Sequence, residues 1–171
     1  MIKICPWMHV FTDSSINTKT KVGIGCYLIL DTLNSEVKVE DIQNIKIDDT
    51  SSTIAELTTI QYVLKKLDSC GLDHHEKIYL YTDCENFINL IQKRKHNPNL
   101  IRHRNYDMYK KLIDLVNDLN IEIIWVKGHS KKESKTEIYE KIFSLVDKTA
   151  RSRLRENSVK DMHFGHENEF L

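Results

Sequence analysis

Four acidic residues lie at places in the sequence where their carboxylates could meet. Asp13 and Asp83 each end an apolar run that is typical of a strand, and carboxylates at strand ends converge when the strands are neighbours in one sheet. Glu56 and Asp147 lie on two predicted helices. Such a set could supply oxygen ligands to a hard divalent cation, which would offset the mutual repulsion of the charges.

Simpler interpretations exist for three of these residues. An aspartate after a strand usually caps a helix or forms a turn, and Thr53-x-x-Glu56 has the form of a capping box. Asp147 is different, because it lies one helical turn from Phe143 and from Ala150, beside the apolar stripe of its helix. An unpaired charge is unfavourable there, so we expect something to compensate Asp147.

The elements that must position these residues follow from hydrophobic periodicity. Apolar runs predict strands, helical spacing predicts helices, and a loop is predicted over Lys93–Arg104, which contains Pro98 and no apolar period. The order of strands and helices indicates a mixed α/β fold. The predicted strands are Trp7–Asp13, Val22–Leu30, Glu36–Ile47, Lys77–Asp83 and Ile121–Val126, and the predicted helices are Thr53–Ser69, Phe87–Ile91, Tyr106–Leu119 and Ile138–Leu154.

Composition limits the class of protein. The 171 residues, of which 40% are hydrophobic, predict a single domain over 1–171 with residues 158–171 as a frayed C-terminal tail. Lys and Arg number 25 and Asp and Glu number 25, which excludes a histone-like, charge-driven grip on nucleic acid. No secretory signal or bilayer-length apolar run is visible, and the four cysteines form no CxxC pair. We therefore predict a cytoplasmic protein that is not in a membrane.

The ordered motifs resemble those of ribonuclease H type 1. They run from about Val10 to Arg155, and the resemblance implies an RNase H-like fold with a mixed five-stranded sheet flanked by helices on both faces. It also implies a metal-dependent endoribonuclease that hydrolyses the RNA strand of RNA/DNA hybrids and leaves 5′-phosphates. The motifs are Phe-Thr-Asp13-Ser-Ser, Ile-Ala-Glu56-Leu, Tyr-Thr-Asp83-Cys, Trp-Val-Lys-Gly-His129 and Leu-Val-Asp147-Lys-Thr-Ala-Arg.

The resemblance further implies a set of catalytic residues. Asp13, Glu56, Asp83 and Asp147 would hold two Mg²⁺ ions, with Mn²⁺ as the alternative, and Asp13 would bridge the two ions. His129 would assist proton transfer or product release, whereas its simpler interpretation is an exposed loop histidine.

Contacts with a hybrid are predicted at two places. Ser15, Ser52 and Thr53 would touch the minor groove, although relatives often have asparagines where Ser52 and Thr53 stand and a glutamine where Glu85 stands. Residues 92–111 hold seven basic residues and one acidic residue, and this stretch could bind phosphates or be a solvated face. The basic residues predicted to bind nucleic acid are Lys93, Arg94, Lys95, Arg102 and Arg104.

Three other functions stay open on the sequence. The chain could be a non-catalytic RNase H-like module that binds nucleic acid or protein, or a DNA nuclease of the same fold. A Mg²⁺-binding adhesion-type domain is the third, because Asp13-Ser-Ser15 partly matches a metal-site motif, although Asn17 breaks it. The expected partner is an RNA/DNA hybrid, and the expected state is a monomer.

Overall fold

The computed structural model describes residues 7–33, 36–48, 50–71, 76–128 and 137–165, and of 159–165 it describes only the backbone. Within these ranges, five strands form one mixed sheet in the order β3-β2-β1-β4-β5. β1 pairs antiparallel with β2 and parallel with β4, while β3 and β5 form the two edges. The strands are β1 (Trp7–Asn17), β2 (Val22–Leu30), β3 (Gln43–Ile47), β4 (Lys77–Thr82) and β5 (Ile121–Trp125).

In the described residues, four α-helices cover the two faces of this sheet. Successive strand residues point to opposite faces, so Val10 of β1 packs with the helices on one side and Phe11 with the helix on the other. Both layers are apolar and buried, which confirms the predicted sheet with helices on both faces. The helices on the Val10 side are α1 (Ser52–Ser69), α2 (Glu85–Gln92) and α3 (Tyr106–Asp118), and the helix on the Phe11 side is α4 (Ile138–Gly165).

Two glycines of β2 let α1 approach the sheet closely. A Cβ atom at Gly25 would lie 2.0 Å from Thr59 Oγ1, and one at Gly23 would lie 3.1 Å from Thr50 Cγ2 and 3.4 Å from Ala55 Cβ. No larger residue fits at Gly25 without moving α1. The glycines therefore bring the second turn of α1, which carries Glu56, against the sheet.

The first strand is longer than its apolar run predicts. β1 does not end at Asp13 but continues to Asn17, because β2 supplies a partner for every residue from His9 to Asn17. The expectation that Asp13 closes a strand is therefore wrong, and Asp13 lies inside β1 opposite Cys26.

The third predicted strand is shorter than expected. Only Gln43–Ile47 pairs with β2, and Val39–Asp41 forms a 3-10 turn instead. Arg153 of α4 explains the change, because its guanidinium donates to the carbonyls of Ile42 at 2.7 Å and Val39 at 3.3 Å. These carbonyls therefore accept hydrogen bonds from a side chain of α4 rather than from a neighbouring strand.

Two further segments are more regular than predicted. The stretch Lys93–Arg104, expected as a loop, contains 3-10 turns at Arg94–His96 and Pro98–Arg102. α4 continues to Gly165, so the backbone of residues 158–165, expected in a frayed tail, is helical. Within the described part of the chain, no helix is long and apolar enough to cross a membrane.

Candidate active site

Two carboxyl groups from distant parts of the chain meet at the centre of the sheet. Asp13 lies two residues after Phe11 on β1, so its side chain faces α4. Asp147 of α4 contacts it, and each of the two residues is only 8% exposed. A hydrogen bond between the Asp13 and Asp147 side chains contributes to a raised pKa of Asp13. The fold therefore brings these two predicted site residues together.

Asp83 adds a third carboxyl group to this place. It follows Thr82, the last residue of β4, and β4 is the parallel neighbour of β1. Burial raises the pKa of Asp13 well above its usual range, and the charges of Asp83 and Asp147 raise it further. The backbone N–H of Ser14, which bonds to Asp13, opposes that rise. Asp13 is thus a buried carboxyl group within the electrostatic reach of the carboxyl groups of Asp83 and Asp147.

Glu56 joins the group from α1. The side chain of Ser51 caps this helix by accepting the Ile54 N–H at 3.4 Å, so the predicted Thr53–Glu56 capping box is wrong. Burial raises the pKa of Glu56, a hydrogen bond with the thiol of Cys84 lowers it, and the charge of Asp83 raises it. Glu56 is therefore not used as a cap and lies within the electrostatic reach of Asp83.

Cys84 has a role that the sequence analysis did not assign. Its thiol is buried next to Glu56, and burial is the main reason that its pKa is raised. A thiol that stays protonated can donate to the Glu56 carboxylate and hold it in place. The sequence gives only a weak signal for this contact, namely that Cys84 comes directly after Asp83.

Gly128 is a second residue without an assigned role. A Cβ atom at this position would lie 2.2 Å from Oδ2 of Asp83, so only a residue without a side chain leaves room for that carboxylate. The Val126 N–H donates to the Thr82 carbonyl at 3.0 Å, which extends the pairing of β4 and β5 towards this glycine. The signal in the sequence was the Lys-Gly-His motif. In the structure its glycine lies against the Asp83 side chain.

Arg151 supplies the compensation that Asp147 was expected to need. Its guanidinium forms an ion pair with Asp147 Oδ2 across one turn of α4, the i,i+4 spacing that brings side chains together on a helix. The Arg151 side chain is 45% exposed. Asp147 therefore interacts with both the buried Asp13 carboxyl group and the partly exposed guanidinium of Arg151.

The chemistry of this group suits a hard divalent cation. Contacts and charges link Glu56 to Asp83, Asp83 to Asp13, and Asp13 to Asp147, and all four side chains offer oxygen donors. Among the described residues, no group of three acidic, histidine or cysteine side chains is arranged so that it could already hold one metal ion. A cation would relieve the repulsion from Asp83 and Asp147 that adds to the effect of burial on the pKa of Asp13, so these residues fit such an ion.

The predicted groove-binding residues lie near the carboxylates. Ser15 is half-buried two residues after Asp13 on the same face of β1. Ser52 and Thr53 form the first turn of α1, and Thr53 Oγ1 accepts a hydrogen bond from Asn86 Nδ2 at 3.3 Å. Small polar groups from α1 and α2 therefore lie next to each other about one helical turn before Glu56.

The predicted basic residues lie beyond α2. Lys93, Arg102 and Arg104 are exposed, whereas Arg94 and Lys95 are half-buried. Arg94 lies over the ring of Tyr109, 5.0 Å from its centroid, so part of this guanidinium has a packing role. His129 lies outside the described residues.

The fold also matches known structures. A crystal structure of LC9-RNase H1, described as a type 1 RNase H with the type 2 active-site motif, is similar with a TM-score of 0.57 and 17% identity. The match covers 73% of this chain and 64% of that one. The prototype foamy virus protease-reverse transcriptase is similar with a TM-score of 0.66 and 18% identity over 85% of this chain and 20% of that one. These likenesses show an RNase H-like fold.

The family assignment follows from a separate comparison. The model of the RNase H family matches residues 6–152, which is most of the chain, and so the chain belongs to the RNase H family. This confirms the resemblance at the level of the family. The comparison with curated proteins finds no match.

Proposed function

We propose that this protein is a metal-dependent endoribonuclease that hydrolyses the RNA strand of RNA/DNA hybrids. The observation that carries the proposal is the buried Asp13 carboxyl group, which contacts Asp147 and lies in the field of Asp83. Burying like charges together destabilises a fold, so such a cluster needs a functional reason. In a chain of the RNase H family, the binding of catalytic cations is that reason.

The four carboxylates would hold two Mg²⁺ ions, or Mn²⁺ in their place. When bound, such ions lower the pKa of a water molecule and stabilise the leaving oxygen of a phosphodiester. Asp13 interacts with both Asp83 and Asp147, which suits a ligand shared between the ions. Glu56 interacts with Asp83, which suits a pair that holds one ion.

Other residues of the chain would bind and orient the hybrid. Ser15, Ser52 and Thr53 lie near the carboxylates and could contact the 2′-hydroxyl groups of several consecutive ribonucleotides. The basic segment of residues 93–104 could bind backbone phosphates. The 2′-hydroxyl contacts favour a run of ribonucleotides paired with DNA over a single embedded ribonucleotide.

Cleavage of defined duplexes tests this proposal. A labelled RNA/DNA hybrid, double-stranded RNA, single-stranded RNA, double-stranded DNA and a DNA duplex with one ribonucleotide are incubated with Mg²⁺, Mn²⁺ or EDTA. We expect cleavage of the continuous RNA strand of the hybrid alone, with 5′-phosphate and 3′-hydroxyl products, and no cleavage in EDTA.

Two variants complete the test. Asp13→Asn should lower the cleavage rate by orders of magnitude, because a neutral amide is a poor ligand for two cations. Asp68→Asn is the matched control, since Asp68 is an exposed residue near the end of α1, and it should cleave at the wild-type rate. Cleavage of the DNA strand would instead indicate a DNA nuclease, and binding without cleavage would indicate a non-catalytic module.

A further inference from the structure

We propose that Arg151 is an internal counter-ion of the carboxylate cluster formed by Asp13, Glu56, Asp83 and Asp147. The Arg151 guanidinium holds Asp147 until a divalent cation takes the place of the guanidinium. This competition lowers the affinity of the cluster for the cation. The inference rests on the proposed function, because it concerns the same cation site. It adds a residue outside the four carboxylates that sets how tightly the ions bind.

The position of Arg151 supports this role. Its guanidinium pairs with Oδ2 of Asp147, while the same side chain is also hydrogen-bonded to Asp13. Asp147 therefore already has a cationic partner on one side and the buried cluster on the other. A divalent cation that takes Asp147 as a ligand competes with the guanidinium for the same oxygen atoms.

The exposure of the two partners makes displacement feasible. Asp147 is 8% exposed, so its charge needs a partner at all times. The Arg151 side chain is 45% exposed, so its guanidinium can turn into water at a small cost in free energy. The buried partner stays in place and the exposed partner leaves.

Charge gives the expected sign of the effect. Without a cation, Arg151 neutralises one member of a group of mutually repelling carboxylates and so stabilises the fold. With a cation bound, the guanidinium is a like charge beside the ion and opposes its binding. If Arg151 only aimed the Asp147 side chain, its removal would weaken cation binding, so the two roles predict opposite results.

Cation affinity in the absence of substrate distinguishes these roles. Mn²⁺ binding is measured by isothermal titration calorimetry for the wild-type protein, Arg151→Gln and Arg155→Gln. Arg155 is an exposed residue one turn further along α4, which makes it the control for a lost positive charge on the same helix. We expect Arg151→Gln to bind Mn²⁺ about three- to tenfold more tightly, and Arg155→Gln to bind it with the wild-type affinity.

Thermal unfolding gives a second measurement. Arg151→Gln should melt at a lower temperature than the wild-type protein in EDTA, and saturating Mn²⁺ should remove that difference. If Arg151→Gln does not fold, Arg151→Lys keeps a positive charge, and its more compact ammonium should bind Asp147 less well. Its Mn²⁺ affinity should then be higher than that of the wild-type protein by a smaller factor.

Each outcome has a defined meaning. Equal or weaker Mn²⁺ binding by Arg151→Gln, in a protein that still cleaves hybrids, would overturn the role of Arg151 and leave the proposed function standing. An equal gain in Arg155→Gln would also overturn it, since the effect would then be one of general charge. Absence of Mn²⁺ binding by all variants and the wild-type protein would overturn both proposals.

Discussion

Replacing Gly128 by alanine should damage the cation site while leaving the fold intact. The three atoms nearest to a Cβ at this position all belong to Asp83, namely Oδ2 at 2.2 Å, Cγ at 3.2 Å and Cβ at 3.4 Å. Gly128 does not have a left-handed backbone conformation, so alanine brings no backbone strain. The whole effect of the substitution therefore falls on the Asp83 side chain.

The size of the effect follows from these distances. Ordinary contact begins at 3.4 Å, so Oδ2 must retreat by about 1.2 Å from its 2.2 Å separation. A misplacement of about 1 Å in a catalytic group lowers the rate by roughly 10²-fold. Because Oδ2 is the terminal atom of a side chain, rotation about the side-chain bonds can move it, and the melting temperature should change little.

The assay for Gly128→Ala has two parts. Single-turnover cleavage of a hybrid should slow by about 10²-fold, and Mn²⁺ affinity measured by calorimetry should fall. The matched comparison is made in the Asp83→Asn background, where the same alanine should add little, because the two changes act on one group. A folded Gly128→Ala protein with the wild-type rate and affinity would refute the assignment of Asp83 to the cation site.

Three further variants test other parts of the site. In metal-free wild-type protein, stability should fall as pH rises from about 4 through the raised pKa of Asp13, because the folded state keeps a proton that the unfolded chain loses. Thermal melts of Asp13→Asn between pH 4 and pH 8 should show a flatter profile, and an identical profile would mean that another group sets it. Replacing Lys93, Arg94 and Lys95 together by glutamine should weaken hybrid binding and lower its salt slope by about one for each lost phosphate contact, as fluorescence anisotropy at several salt concentrations would show. An unchanged slope would make this segment a solvated surface. His129→Ala should lower turnover roughly 10- to 100-fold with little change in KM, and an unchanged turnover number would leave His129 without a catalytic role.

The position of Asp13 shows where local patterns stop being informative. Its apolar run predicts a strand that ends at the carboxylate, yet β1 continues to Asn17. Polar residues can stay in a strand when a neighbouring strand forms hydrogen bonds with their backbone groups. Here β2 pairs with β1 as far as Asn17, which lies opposite Val22. Strand length was therefore decided by a pairing that the sequence of β1 does not contain.

Glu56 shows the same limit for a helix end. The sequence offers several small polar residues before α1, and the Thr53–Glu56 spacing fits a capping box. The fold uses Ser51 instead, and Glu56 turns to Cys84 and Asp83. The helix is held close to the sheet by the packing of Thr59 against Gly25, a contact that the local sequence around Glu56 does not contain.

The sequence by itself determined the order of strands and helices, and it predicted the four acidic residues as a site. These features depend on the alternation of side chains along each element and on short motifs, which are local. Only the tertiary structure decided that Gly128 leaves room for Asp83 and that Asp13 is buried beside Asp83 and Asp147. Burial, available space and the sum of nearby charges depend on contacts between residues far apart in the chain, and these contacts exist only once the sheet and its helices have packed.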